Sequence, residues 1–182
     1  LYNEILAVKS IYVFMVAGIL LGSLLAVRVK MIQMPQLVAL LNGVGGLASA
    51  LVGILTILGV GQVVSNYPAF TDVTATLAMI VGTITLIGSL VAAGKLHKIL
   101  PPKPVIWKNH AVILNISLLI LLAVVVYSAF LKPGSETYLP VILILFAGIL
   151  FSKVFGYAFA IRVGGADMPI TISLLNSLSG VA

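Results

Sequence analysis

The chain has 182 residues, of which 62% are hydrophobic and only 8% are charged, and its mean hydropathy is +1.28. Soluble domains are about half apolar and a quarter charged, so this composition excludes a soluble globular enzyme, a nucleic-acid-binding domain and a disordered chain. A helical span takes about 20 apolar residues, which leaves room for roughly six spans and no soluble catalytic domain.

The sequence contains no cysteine, which excludes disulfides, thiol nucleophiles and thiolate metal sites. In a membrane protein the net charge of +6 reflects the placement of loops rather than a polyanionic partner such as a nucleic acid. The first residues do not have the pattern of a signal peptide. The chain begins without Met and stops at Ala182 inside an apolar pattern, so we expect both ends to be cuts in a longer polypeptide.

Five complete apolar runs and one partial run follow one another along the chain. They are A (5–27), B (35–60), C (73–93), D (111–131), E (138–161) and F (168 onward). A backbone that spans lipid must satisfy its own hydrogen bonds, and the alternation of barrel strands is absent. The sequence therefore predicts an all-α integral membrane protein, a polytopic transmembrane helix bundle of about six spans.

Basic residues between the runs predict the orientation, because Lys and Arg accumulate in cytoplasmic loops. The A–B, C–D and E–F loops are basic, whereas the B–C loop carries only Asp72 and the D–E loop pairs Lys132 with Glu136. The basic residues are Arg28 and Lys30, then Lys95, Lys98, Lys103 and Lys108, then Lys153 and Arg162. We expect these three loops to face the cytoplasm or matrix, with His97 and His110 solvated in the C–D loop.

Residues 28–48 and 162–182 form an internal repeat. At a fixed offset of 134 residues, 9 of the 21 positions are identical, including the pairs Arg28/Arg162, Pro35/Pro169 and Asn42/Asn176. Runs B and F then enter the membrane in the same direction, as in a parallel repeat, and both Asn residues lie roughly 10 Å past their Pro. The repeat also predicts that a helix after F resembles C, with a Gly/Ser face and a Lys near its inner end.

The few polar groups inside the runs limit the chemistry. The four carboxylates, Glu4, Asp72, Glu136 and Asp167, lie outside the middle of any span, so we expect neither a paired-carboxylate site nor a His/carboxylate metal site. Asn42 and Asn176 are the informative groups, because an amide in hydrocarbon must find a hydrogen bond. Each forms an interhelical bond or lines a path for water or an ion.

Small and hydroxylic residues form a stripe at helical spacing on each of three runs. Such stripes permit close helix packing, and together they also fit a shared polar pathway. The stripes are Asn42, Gly46, Ser49, Gly53 and Thr56 on B, Ala78, Gly82, Thr85, Ser89 and Ala92 on C, and Pro169, Ser173, Asn176 and Gly180 on F.

Asp167 precedes Met168-Pro169 at the start of run F and follows Gly164-Gly165. An acidic residue there is an ordinary helix cap. Alternatively, a charged group on a flexible Gly-Gly loop contacts a soluble domain.

Four segments resemble one known family. They are MPQLVALLNG from Met34, GSLVAAGKL from Gly88, GGADMP from Gly164 and LLNS from Leu174. Together they look like the beta subunit of the proton-translocating NAD(P) transhydrogenase, over nearly the whole chain. The resemblance implies that residues 1–182 are the transmembrane proton-translocating domain, part of a longer subunit. It also implies that hydride transfer between NAD(H) and NADP(H) takes place in separate soluble domains, so we expect no nucleotide or metal site in this segment.

The resemblance also implies roles for single residues. Asn176 matches the family's polar Asn in the corresponding helix, Ser89 matches the Ser of its Gly-Ser motif, and Asp167 matches its acidic loop residue beside the NADP(H)-binding domain. We expect Asn42, Asn176 and Ser89 to lie along a proton pathway and Asp167 to couple the domains. Asn42 stands where several members have His, a departure that matters because an amide does not take up a proton near neutral pH. The implied partners are the alpha subunit, the NADP(H)-binding domain and a second copy of the assembled enzyme, in a bacterial inner membrane rather than a mitochondrial one.

Two other interpretations stay open at this point. The parallel repeat and the lack of a redox site also fit a stand-alone transporter of an ion or small solute, and a purely structural membrane anchor is a weaker third. Sequence following residue 182 separates them, because a nucleotide-binding βαβ pattern favours the transhydrogenase.

Overall fold

The computed structural model describes residues 9–60, 67–130 and 139–181, and in these ranges it contains α-helices and short 3-10 turns but no strand. The helices are α1 (Lys9–Arg28), α2 (Met34–Ile57), α3 (Pro68–Leu96), α4 (His110–Ser128), α5 (Leu139–Ile161) and α6 (Met168–Val181). Helices α1 to α5 are long and apolar enough to cross a membrane. The prediction of an all-α polytopic membrane protein is confirmed.

The largest difference between a predicted run and the observed helix is found for run C. Helix α3 begins at Pro68, five residues before the predicted start, and continues to Leu96. Pro is tolerated in a first turn because the amide hydrogen it lacks has no partner there. Placing Asp72 and Lys95 in loops was therefore wrong, since both lie within α3. Some predictions lie outside the described residues, namely those for Glu4, Lys132 and Glu136. The same holds for the start of run A at 5–8, the end of run D at 131 and the start of run E at 138.

The chain divides into two compact units, residues 1–34 and 35–182. The described part of the first unit contains α1 and a 3-10 turn at Met31–Gln33. The second unit contains the body of α2 and all of α3 to α6, and the functional residues discussed below belong to it.

Helix α3 is the central element of the second unit, because α4, α5 and α6 all pack against it. Its interior side carries Met79, Ile80 and Ile84, which form a core with Leu121 and Val124 of α4, Ile144 of α5 and Leu175 of α6. Many apolar side chains on the other helices are exposed, as expected of surfaces that face lipid.

Helices α2 and α3 cross at glycine residues. A Cβ on Gly46 would lie 2.7 Å from the carbonyl oxygen of Gly82, and one on Gly82 would lie 2.5 Å from the Ala50 nitrogen. Real Cβ atoms do not come this close, so the crossing requires glycine. The glycines of the B and C stripes thus serve close helix packing.

The directions of α2 and α6 follow from their contacts with α3. Gln36, near the start of α2, bonds to the end of α3 at Leu96, whereas Gly53, near the end of α2, packs at Ala75. On α6, Met168 clusters with Ala92 and Ala93, and Ser179 bonds to Thr85. Both helices therefore run antiparallel to α3 and parallel to each other, as the repeat predicts for runs B and F.

The repeat also extends to the local backbone before each of these helices. A 3-10 turn at Met31–Gln33 precedes α2, and a 3-10 turn at Gly165–Asp167, 134 residues later, precedes α6. The residue before each turn has nearly the same conformation, with φ −74° and ψ 150° at Lys30 and φ −70° and ψ 153° at Gly164. Equivalent positions thus adopt the same structure even where one is Lys and the other Gly.

Candidate functional site: a polar cleft between α2 and α6

Asn42 and Ser89 form a hydrogen bond that joins α2 to α3. The Asn42 amide nitrogen donates to the Ser89 hydroxyl over 3.0 Å, and Ser89 is fully buried. The hydroxyl can approach because the neighbouring α2 residue is Gly43, where a Cβ would lie 3.3 Å from Ser89 Cβ. The structure thus brings two of the predicted pathway residues into direct contact.

A second polar contact joins α3 to α6. Thr85 Oγ1 and Ser179 Oγ are 2.9 Å apart and share a hydrogen bond, and Ser179 also donates to the Leu175 carbonyl over 3.0 Å. Thr85 and Ser89 are one helical turn apart on α3 and are both fully buried. One side of α3 therefore presents two hydroxyls, one bonded to each of the helices related by the repeat.

Asn176 lies beside these contacts, but its side chain makes no hydrogen bond with the described residues. Its neighbour Leu175 packs at Gly88, which places Asn176 at nearly the same level of α3 as Asn42, opposite Ser89. The two amides thus lie at a similar level along α3, and their equal depth in the membrane stays a prediction. Their environments differ, because the Asn42 side chain has a protein partner and the Asn176 side chain is open to the space beside it.

That space is a cleft of about 800 Å³ between α2 and α6, named here the polar cleft. Both Asn42 and Asn176 line it, together with three serines. A void bordered by amides and hydroxyls can hold hydrogen-bonded water, whereas an apolar void stays dry. The lining residues are Val38, Leu41, Asn42, Gly45 and Ser49 of α2, and Pro169, Ile172, Ser173, Asn176, Ser179 and Gly180 of α6.

Asp167 occupies the 3-10 turn that leads into α6, and its side chain is exposed. Within the described ranges the Asp167 carboxylate forms neither a hydrogen bond nor an ion pair. Nothing in this part of the chain supports the interpretation of Asp167 as a helix cap. The carboxylate is free to contact a partner.

Lys95 lies at the same end of the second unit, in the last turn of α3, and sequence reasoning assigned it to a solvated loop. The structure buries it to 1% exposure. Its ammonium donates to the carbonyl oxygens of Lys103, Ile161 and Val163 at 3.2, 2.5 and 2.7 Å. No sequence signal identified this role, since the three acceptors are backbone atoms.

The two histidines of the C–D loop have different environments. His97 is exposed, as predicted, and its Nδ1 lies 3.2 Å from Gln36 Oε1. His110 is only 5% exposed, so the prediction of a solvated side chain was wrong. Its ring packs near Trp107, and its Nε2 bonds to the Ala158 carbonyl at 2.8 Å.

Within the described ranges, no group of three or more His, Asp or Glu side chains is arranged to hold a metal ion. The polar groups of the cleft are amides and hydroxyls, which orient water and pass hydrogen bonds.

Comparison with known proteins assigns the family. The family model of the NAD(P) transhydrogenase beta subunit matches residues 2–182. The chain belongs to this family. It is 33% identical over 168 residues to the NAD(P) transhydrogenase subunit beta of Rhodospirillum rubrum, an alignment that covers 89% of this chain and 34% of the relative. A second Rhodospirillum rubrum sequence of the same name matches to the same extent.

Family membership and the helices together make this chain a multi-pass membrane protein. The chain spans about a third of the length of the transhydrogenase beta subunits that it matches. The resemblance inferred from the sequence is confirmed over nearly every residue.

Proposed function

We propose that residues 1–182 are the transmembrane domain of a proton-translocating NAD(P) transhydrogenase. In this proposal the domain couples proton movement across the membrane to hydride transfer between NAD(H) and NADP(H), which bind to separate soluble domains. The observation that carries the proposal is the family match over the whole chain, together with a polar cleft lined by the two Asn residues of the repeat.

The proton path that we propose runs through the polar cleft. Asn42 and Asn176 orient a file of water in the cleft. Ser89 is buried behind Asn42 and accepts a hydrogen bond from its amide, and Thr85 in the same way bonds to Ser179, which lines the cleft. None of these side chains titrates near neutral pH. Protons therefore pass along water, and the titratable group that gates them belongs to another part of the assembled enzyme.

The coupling end of the path is the turn that contains Asp167. This carboxylate is exposed at the start of α6, the helix whose Asn176 and Ser179 line the cleft. Docking of the NADP(H)-binding domain against Asp167 would shift the start of α6 and so change the width of the cleft. The remaining partners in this proposal are the alpha subunit and a second copy of the enzyme, in a bacterial inner membrane.

Replacing Asn176 by Leu tests the path. Leu has the same branching and number of side-chain heavy atoms as Asn, and the Asn176 side chain makes no hydrogen bond with the described residues. We therefore expect the folding stability to change by less than about 0.6 kcal/mol, the average worth of an interhelical bond. Proton uptake by vesicles that contain the full enzyme should nevertheless fall sharply, because the water molecules in the cleft lose the amide that orients them by hydrogen bonds. The measurement is uptake during transhydrogenation, normalised to folded protein.

The matched control is Leu174→Val on the same helix. Leu174 is half exposed and lies outside the cleft lining, so proton uptake should stay at the parental level. If Asn176→Leu pumps protons normally, or loses activity only in proportion to its folded fraction, then the amide is structural and the proposed path is wrong at this position.

Replacing Asn42 by His tests the departure from the family. Imidazole can accept a hydrogen bond from the Ser89 hydroxyl that Asn42 now bonds, and it adds a group that titrates near neutral pH. We expect proton-coupled turnover to be maintained or raised, with a new pH dependence between about pH 5 and 8. A pH profile identical to that of the parent would show that position 42 does not contact the transported proton.

A further inference from the structure

Lys95 is a buried cation whose three hydrogen bonds all go to main-chain carbonyls. An ammonium has three N–H donors and no acceptor, and here each donor has one partner within 3.2 Å. A Lys is almost never fully buried unless it is paired. In this chain the pairing is supplied by two different loops, which makes Lys95 a junction between them.

The sequence explains why carbonyls in the C–D loop and at the end of α5 can accept a bond from this donor. The C–D loop contains Pro101, Pro102 and Pro104, which lack amide hydrogens and leave carbonyls without backbone partners. The other acceptors lie at the end of α5, where the last carbonyls of a helix have no intrahelical partner and favour a cation. One ammonium thus bonds to the Lys103 and Val163 carbonyls in the two loops, and to the Ile161 carbonyl at the helix end, which also accepts from the Val105 amide.

Two backbone hydrogen bonds join the same segments. The Val105 amide donates to the Ile161 carbonyl over 3.1 Å, and the Gly165 amide donates to the Pro102 carbonyl over 2.7 Å. Gly165 begins the 3-10 turn that contains Asp167 and leads into α6. The turn is therefore connected to the end of α3 through Lys95, and Ser89 lies six residues earlier on that helix, roughly 9 Å away at 1.5 Å per residue.

We infer that Lys95 is a positioning residue: its ammonium holds the Asp167 turn and the start of α6 against the C-terminal end of α3. The two helices that share the Thr85–Ser179 contact are thereby kept in register. The functional part of this inference, that motion of the Asp167 turn reaches the cleft through Lys95, rests on the function proposed above. The clamp itself does not depend on that proposal.

Hydrogen–deuterium exchange tests the clamp in the full-length assembled enzyme. In Lys95→Met, we expect exchange at the Val105 and Gly165 amides to be faster by about tenfold or more, because local opening exposes them, while amides in the middle of α4 keep the parental rate. Lys108→Met removes an exposed Lys from the same loop and should leave all of these rates unchanged.

Two results would overturn the clamp: parental exchange at both amides, or a uniform acceleration that includes α4. The second would show that Lys95 stabilises the whole bundle rather than one junction. If Lys95→Met does not fold, Lys95→Gln decides, because it keeps two donors and should show a smaller increase at the same two amides. Parental rates in Lys95→Gln would then overturn the inference.

The functional part has a separate readout, which is the ratio of the transhydrogenation rate with an imposed proton gradient to the rate without it. This ratio is independent of the amount of folded protein. We expect it to fall towards one in Lys95→Met and to stay parental in Lys108→Met. An open clamp with a parental ratio would make Lys95 purely structural and would leave the proposed proton path intact, since that path is tested at Asn176.

Discussion

The two asparagines of the repeat have the same chemistry but different partners. Asn42 is bonded to a fully buried serine on α3, whereas Asn176 faces the polar cleft. The sequence could predict that both lie at equal depth, because depth depends only on the distance from each Pro. It could not predict which of them has a partner, because that depends on the placement of α3 between α2 and α6.

Burial of single polar residues was the least predictable feature. Lys95 and His110 occur in a sequence rich in charge and proline, which is typical of a solvated loop. Both are buried because carbonyls 66 and 48 residues away, at Ile161 and Ala158, accept their hydrogen bonds. Partners so distant along the chain leave no local signal in the sequence.

Asp167 provides a prediction at this scale. Because its carboxylate is exposed and has no partner among the described residues, Asp167→Asn should leave the thermal stability of the protein within about 0.5 kcal/mol of the parent, as for other surface substitutions. Transhydrogenation by the assembled enzyme should fall, because the mutation removes the charge that we propose contacts the NADP(H)-binding domain. Parental activity at parental stability would remove Asp167 from the coupling role.

At the scale of helices, the spans were predictable and their ends were less so. Each apolar run is long enough to form a helix. Helix α3 begins before its predicted start because Thr71 and Asp72 are tolerated in its first turns, and it also continues past its predicted end to Leu96. Thr71 and Thr76 bond to the carbonyls of Tyr67 and Asp72. Such internal bonds satisfy polar groups without a loop, and hydropathy alone does not detect them.

The glycine crossing of α2 and α3 gives a prediction with an internal control. Gly46→Ala should destabilise the protein by about 1–3 kcal/mol, the usual cost of overpacking, because the new Cβ meets the Gly82 carbonyl and Thr85. Gly45→Ala, one residue earlier, meets nothing within 4 Å and should be neutral or slightly stabilising. Denaturation in lipid nanodiscs measures both; equal stability of the two variants would show that the crossing is looser than described.

At the scale of the whole chain, the internal repeat was the most informative feature of the sequence. It predicted the parallel course of α2 and α6, and the 3-10 turns before them occur at the same offset of 134 residues. The polar cleft between these helices was foreseen only as a possible shared pathway, since small-residue stripes fit packing equally well. In the structure, close packing and lining of the cleft fall to different residues. Glycines of α2 and α3 pack against each other, and polar residues of α2 and α6 line the cleft.

The measurement that tests a hydrated cleft most directly is the reaction of single cysteines with a membrane-impermeant thiol reagent. These 182 residues contain no native cysteine, so Ser173→Cys in the cleft and Leu174→Cys beside it can be compared in an enzyme from which any other cysteines have been removed. Thiol reagents react with the thiolate, which forms only where water reaches. We predict that Ser173→Cys reacts at least about tenfold faster than Leu174→Cys in the assembled enzyme. Equal rates at the two positions would contradict a water-filled path between α2 and α6.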